Sequence, residues 1–388
     1  MPSKAPHPTR TVPLFLLPIL SVLLVLPTIA SFTPTLYPAV ILSSLLLLSP
    51  TPVLSDVENP PIPIIDISPL RGSDPVKKLE TVSKIKSACE EIGFMVVTNH
   101  GVKKDVVENA WETVAEFFDL PESEKSSYSA MSEDYPYGYE KGEVLAAGKD
   151  LEDGKKLSTA PDMKETFTVG PSNPASGMPS RILPSSPPSF ASSYNSYYTE
   201  MENLADNLLS SFALALSLPS DWFVPKTSHH LSALRSLNYP DQAGVTPEPG
   251  QLRAGAHTDY GSLTILKSGG PGLQVAKDVG GEPRWVNVPH VEDGFVINLG
   301  DLMKRWTNDR WSSTLHRVVN PPRDGRDHRR QSIAFFHNIN GDEVVETIES
   351  CRGEGGSKYE PIVAKDFLMM KHLASVKGVI EKDGKEEL

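Results

Sequence analysis

Leu231-Ser232-Ala233-Leu234-Arg235-Ser236-Leu237-Asn238-Tyr239 opens a stretch in which short runs of Val, Ile, Leu, Thr and Phe follow one another between Gly, Pro, Asn and Asp. The later runs are Ser262 to Leu266, Leu273 to Val275, Trp285 to Val288, Phe295 to Leu299, His316 to Val319 and Ser332 to His337. Short strands punctuated in this way build an antiparallel sandwich or barrel.

Upstream the texture is helical. Asp74 precedes Pro75, the pattern of a capped helix start, and Val76, Leu79, Val82, Ile85, Cys89 and Ile92 recur at steps of three and four. Gly93 then stands where a left-handed cap is wanted. Phe94 to Thr98 reads as a strand, Lys104 to Phe118 as a second amphipathic helix, and Ile62 to Ile67, which contains Pro63, as a strand near a sheet edge. Ala191 to Leu218 is an extended helix whose stripe of Tyr194, Tyr198, Met201, Leu204, Leu208, Phe212 and Leu216 reads as core packing rather than a cofactor box. Residues 126–190 carry few periodic signals. Helices therefore come first and a β core second.

The chain has 388 residues, a net charge of -12 and two cysteines, Cys89 and Cys351, which excludes a disulfide scaffold or a cysteine-built zinc site. Residues 1–55 hold only Lys4 and Arg10 as charged groups, so all the acid lies in the remainder. An acidic body argues against nucleic-acid backbone binding, which needs clustered Lys and Arg. Val12 to Ala30 is apolar, follows basic residues and ends in small ones, the layout of a signal peptide. Its length also suits a membrane span. Ile29-Ala30-Ser31-Phe32-Thr33-Pro34 resembles the cleavage junction of plastid-targeting presequences in algae with complex plastids. Plastid or secretory import and retention as an anchor through residues 12–48 both remain open.

Two histidines and a carboxylate carry the chemistry. In Arg253-Ala254-Gly255-Ala256-His257-Thr258-Asp259 the extended backbone projects His257 and Asp259 to one side. A third ligand must come from elsewhere, and His316 lies on a later strand. Such a set binds one face of non-haem Fe(II) and leaves other positions open. Arg330 and Ser332, two residues apart on the last strand, offer a guanidinium fork and a hydroxyl, which suit a carboxylate; a surface ion pair is the competing reading of Arg330. His100 reads as structural, His229-His230 as surface or packing, and Asp301 and Glu165 as supporting carboxylates. Gly-x-Ser-x-Gly is absent, so no nucleophile elbow is present.

His257-x-Asp259, His316 and Arg330-x-Ser332 resemble the signature of the Fe(II)- and 2-oxoglutarate-dependent dioxygenases of the isopenicillin N synthase-like group. The resemblance covers about residues 61–372 and includes Asn99-His100-Gly101, Lys164-Glu165-Thr166-Phe167, Asn298-Leu299-Gly300-Asp301 and Trp306-Thr307-Asn308. It implies an α+β protein with a double-stranded β-helix, or jelly-roll, core and flanking helices mostly N-terminal. The implied organisation is a leader at 1–55, a helical region at 56–230, the β core at 231–340 and a C-terminal segment with a helix at 341–388. His257, Asp259 and His316 would bind Fe(II). Arg330 and Ser332 would hold the far carboxylate of 2-oxoglutarate, with Tyr239 reaching the same cosubstrate and ascorbate as accessory reductant. The implied enzyme is a monomer that oxidises a small molecule with O2, by hydroxylation, desaturation or ring closure. A peptide side-chain hydroxylase and a non-catalytic sensor are the alternatives. Tyr135 to Tyr139 and Phe367 to Leu373 are candidates for the substrate rim.

Overall fold

The structure, a computed structural model, describes residues 62–129, 137–145, 160–174, 180–279, 282–324 and 326–372. The helices are α1 (Pro75–Glu91), α2 (Lys104–Asp119), α3 (Glu122–Ser126), α4 (Phe190–Ala215) and α5 (Asp301–Trp306). The strands begin with β1 (Ile64–Asp66), β2 (Phe94–Thr98), β3 (Gly138–Lys141), β4 (Glu165–Val169), β5 (Ala233–Tyr239), β6 (Ala254–His257) and β7 (Leu263–Ser268). They continue with β8 (Leu273–Val279), β9 (Glu282–Asn287), β10 (Phe295–Leu299), β11 (His316–Val318), β12 (Arg330–His337), β13 (Val344–Val345) and β14 (Ile362–Val363). An eight-stranded sheet runs in the order β1-β2-β10-β7-β12-β5-β4-β3, and a four-stranded sheet in the order β6-β11-β8-β9.

Strand alternation divides the apolar residues between two cores. Met95, Val97, Leu263, Ile265, Ile297, Leu299, Ile333 and Phe335 point from the large sheet toward α1, α2 and α4. Phe94, Val96, Val296 and Tyr239 point the other way and meet Leu273, Val275 and Val318 of the small sheet. The space between the sheets is where the functional side chains converge. α4 seals the outer face with the whole predicted stripe buried, so that stripe is core packing. Burying each such side chain stabilises the fold by roughly 1.5–3 kcal/mol. Phe117, Phe167, Phe190 and Tyr194 pack in sequence, tilted, edge-on and then stacked, at 4.8, 5.3 and 4.8 Å between ring centroids and lock α2, β4 and α4 together.

Three expectations need correction. Val76 and Leu79 are exposed, because the first two turns of α1 run clear of the sheet and burial starts at Thr81 and Val82. The stretch 126–190, for all its few periodic signals, holds two strands that extend the large sheet: β4 pairs with β5, far along the chain, and β3 pairs with β4 at the sheet edge. The proposed rim divides where it is described. Tyr137, Tyr139 and Phe367 are buried in the body, whereas Met369 and Met370 are exposed; Tyr135 and Leu373 lie outside the described residues, as does all of 1–55. No described helix is long and apolar enough to cross a membrane.

The helix caps follow the expectation. Asp74 accepts hydrogen bonds from the Val76 and Lys77 amides, and Gly93 has φ +65°. A Cβ on Gly93 would come within 1.9 Å of the Ser312 carbonyl oxygen. Gly93→Ala is therefore expected to cost about 2 kcal/mol of unfolding free energy, measured by urea denaturation, through left-handed strain and backbone collision.

Candidate metal centre and anion pocket

The antiparallel register pairs His316 of β11 directly with His257 of β6. Their ring centroids lie 4.3 Å apart, and Phe94 packs edge-on against the His316 ring at 5.3 Å. The ladder slips between this pair and the next, Val318 with Ala254. This bulge leaves an extra residue in β6 and re-aims His257 inward. The His257 Nδ1–H donates to the Gly255 carbonyl at 2.7 Å, and the His316 Nδ1–H to the Thr314 carbonyl at 3.0 Å. Because a carbonyl can only accept, both imidazoles are held as the tautomer whose bare Nε2 faces the site.

Asp259 completes the set. Its Oδ2 accepts from Thr264 Oγ1 at 2.5 Å and from Asn298 Nδ2 at 2.6 Å. Its Oδ1 lies 3.9 Å from His257 Nε2 and 3.6 Å from His316 Nε2. One ligand atom from each residue lies within 4.8 Å of the others, which makes this the one cluster of its kind among the described residues. Burial opposes ionisation of Asp259, but the two imidazoles and the hydrogen bonds from Thr264 and Asn298 outweigh it and hold the carboxyl below its usual range. Burial, and then the neighbouring His316, push the His257 imidazole down to about 4, so it is neutral and able to donate a lone pair at pH 7. Two imidazole nitrogens and one carboxylate oxygen are a donor set that fits Fe(II).

Asp301 supports this centre: it accepts from Thr258 Oγ1 at 3.1 Å and from Ser313 Oγ at 2.6 Å, tying the two ligand-bearing segments together. Lys371 Nζ sits 2.6 Å from the same carboxylate. Glu165 is turned the other way, toward the helices, and accepts from Lys125, Tyr139 and Asn238. His100 is held by Val102 and Asp293 backbone groups, while His229 and His230 face different carboxylates, Asp342 and Glu202.

From the metal centre the inner face of the large sheet leads to the second cluster. The register places Thr264 beside Phe336, Ala334 between Leu266 and Arg235, and Ser332 between Ser268 and Leu237; Arg330 then pairs with Tyr239. Thr264 holds Asp259 and Ser268 holds Arg330, four residues or about 13 Å apart along β7. Arg330 is buried, donates to Ser268 Oγ at 2.7 Å and to the Gly270 carbonyl at 3.4 Å, and lies 5.0 Å over the Tyr239 ring. Its Nη1 is buried with no hydrogen-bond partner. The surface ion pair considered for Arg330 is thus not what the fold makes. A buried guanidinium with an unused donor, a hydroxyl at Ser332 two residues on and a phenol beside it fit a carboxylate ligand.

A third group was not legible as a unit. Lys164 Nζ is 2.5 Å from Asp162 Oδ2 and 3.0 Å from Glu143 Oε2, while Arg235 Nη1 is 3.0 Å from Glu143 Oε1. Burial disfavours the Glu143 charge, yet Arg235 and Lys164 hold its carboxyl well below the usual range. Arg235 belongs to the inner face of β5 and Asp162 donates nothing but accepts from the Gly255 amide at 3.0 Å. Lys164 was within a matched motif, but Asp162 and Glu143 had no periodic pattern to mark them. Thr264, Asn298 and Ser268 were likewise invisible as partners, since their roles depend on register.

Residues 62–189 match the family model described as the N-terminal region of non-haem dioxygenases, named for morphine synthesis, and residues 229–339 match that of the 2OG-Fe(II) oxygenase superfamily. The chain is 32% identical over 320 residues to a 2-oxoglutarate-Fe(II) type oxidoreductase, hxnY, of Emericella nidulans, covering 79% of this chain and 88% of that one. It is 32% identical over 339 residues to a homoarginine-6-hydroxylase of Oryza sativa, covering 81% and 97%. The crystal structure of full-length Neurospora crassa T7H with alpha-KG superposes with a TM-score of 0.72 at 31% identity, covering 81% and 96%.

A buried guanidinium without a carboxylate partner costs stability. Arg330→Met is therefore expected to leave the protein as stable or to raise its unfolding free energy by about 1–2 kcal/mol, measured by thermal and urea unfolding without added ligands; a loss of stability would mean that Arg330 serves the fold.

Proposed function

The chain belongs to the Fe(II)- and 2-oxoglutarate-dependent oxygenases, and from that premise we propose that His257, Asp259 and His316 hold the iron while Arg330, Ser332 and Tyr239 hold the far carboxylate of 2-oxoglutarate. The protein is a dioxygenase that oxidises a small molecule. Bound Fe(II) supplies O2 activation coupled to oxidative decarboxylation of 2-oxoglutarate to succinate and CO2. The chain's own part is orientation and exclusion of water. The carbonyl-bound histidines and Asp259 preset three donors, and the guanidinium fork draws the cosubstrate to one end of the inner face. The orphaned Arg330 Nη1 carries this reading, because a buried donor without a partner is costly until an acceptor arrives.

The substrate, in this reading, is a small, polar, nitrogen-bearing molecule. Arg235 and Glu143 place a half-buried cation and anion at the inner face between the metal centre and the pocket, polarity that an apolar substrate would not use. The relatives support the same class: some are named for homoarginine and for validamycin A, and one neighbouring structure holds thymine. These names favour a small molecule over a peptide side chain.

With Fe(II), ascorbate and 2-oxoglutarate, succinate release should rise above its substrate-free level for members of a panel of basic and heterocyclic nitrogen compounds. Stimulation confined to apolar compounds would refute the substrate class. His316→Ala should lose both Fe(II) binding and succinate release. Arg330→Ala should raise the 2-oxoglutarate requirement by roughly 10- to 1000-fold, equivalent to roughly 1.5–4 kcal/mol; an unchanged requirement would remove Arg330 from the site.

Residues 1–55 are, in the same reading, an import leader or an anchor ahead of the catalytic body. Sequencing the amino terminus of the mature protein separates the two: a start near residue 30 or 48 means cleavage, whereas an intact leader recovered with membranes means an anchor.

A further inference from the structure

The bulge in β6 gives Gly255 no regular place in the ladder to β11, because the pairing passes from His257 with His316 directly to Ala254 with Val318. Its amide needs another acceptor, and an unpaired buried N–H is costly. That acceptor is the Asp162 carboxylate at 3.0 Å, and the carbonyl of the same residue receives the Nδ1–H of His257 at 2.7 Å. Asp162 is itself held by Lys164 at 2.5 Å, and both are buried. One residue of backbone thus separates a buried ion pair from an imidazole of the metal centre.

We propose that Asp162 is a positioning residue for His257, which fixes the Gly255 peptide in the bulged conformation that aims the imidazole at the metal. Burying two charges is expensive, and an apolar pair of the same size would serve packing at least as well. What an apolar pair lacks is an acceptor for the Gly255 amide. Lys164 holds one carboxylate oxygen so that the other faces the bulge. The N-terminal half of the chain thereby contributes to a metal centre whose ligands all come from the C-terminal half. This inference rests on His257 being an iron ligand, which the proposed function assigns.

Two double variants isolate the acceptor: Asp162→Asn/Lys164→Met retains an oxygen for the Gly255 amide, and Asp162→Ala/Lys164→Met does not, while both lack the ion pair. Fe(II) affinity is measured by competition with a chelator, and site geometry by the ligand-field absorption of the Co(II)-loaded protein. The asparagine pair is expected to stay within about threefold of the wild type with its Co(II) spectrum, and the alanine pair to bind Fe(II) roughly 10- to 100-fold more weakly with an altered spectrum. Equal affinities and spectra in the two pairs would overturn the proposal. Should the alanine pair fail to fold, the asparagine pair decides: affinity and spectrum like the wild type support the relay, and weakening to the level of His257→Ala refutes it. His257→Ala also separates the two readings. Undiminished Fe(II) binding there refutes the ligand assignment, whereas lost binding there with equal affinities in the two pairs refutes the relay alone.

Discussion

The pairing of β6 with β11 is the interaction on which the site depends. It sets His257 opposite His316, and a slip of one residue in an antiparallel ladder would turn one imidazole to the other face. Each ring is then fixed by a carbonyl two residues back along the chain. The rest of the small sheet keeps that register: β11 is flanked by β6 and β8, and His316 also pairs with Val275. The bulge that allows both His257 and Ala254 to face inward is a local irregularity held by polar contacts rather than by more apolar packing.

The large sheet contributes differently. Its outer face buries the helices and supplies most of the apolar core, so its inner face is free to carry polar groups at a spacing set by the strand rise. Thr264 at one end and Ser268 at the other each hold a charged partner, Asp259 and Arg330. The energetic cost of these buried charges is met only in part within the protein. Arg330 has no carboxylate, whereas Glu143, Lys164, Asp162 and Arg235 are joined in one ion-pair network that Glu140 reaches at 3.9 Å from Arg235. Polar groups retained at such cost are expected where binding and orientation are needed, since packing alone would favour apolar residues.

Much of the fold could be read along the chain. The capped helix from Pro75, the stripe of α4 and the runs from Leu231 to His337 all appear near the expected positions. The exceptions have physical causes. Val76 and Leu79 follow the helical period but lie beyond the surface that α1 packs against. β4 carries a weak local signal because its stability comes from a partner, β5, that lies about 70 residues downstream, and β3 in turn depends on β4. Among the side chains read as a substrate rim, Tyr137, Tyr139 and Phe367 are apolar enough for a rim and equally suited to a core, and burial placed them in the core, whereas Met369 and Met370 stay exposed.

The sequence by itself determined which groups could do chemistry: His257 and Asp259 one strand step apart, His316 on another strand, and Arg330 with Ser332 on one face of the last. These follow from local spacing, because alternation along a strand is a local property. Only the tertiary structure decided that Arg330 would be buried with an unused donor, that Asp301 would tie the two ligand segments together, and that Asp162 would reach the Gly255 amide. The contacts of Asp301 and Asp162 join residues 12 to 93 positions apart through register and packing, and no pattern along the chain encodes which distant group will face an unpaired polar atom.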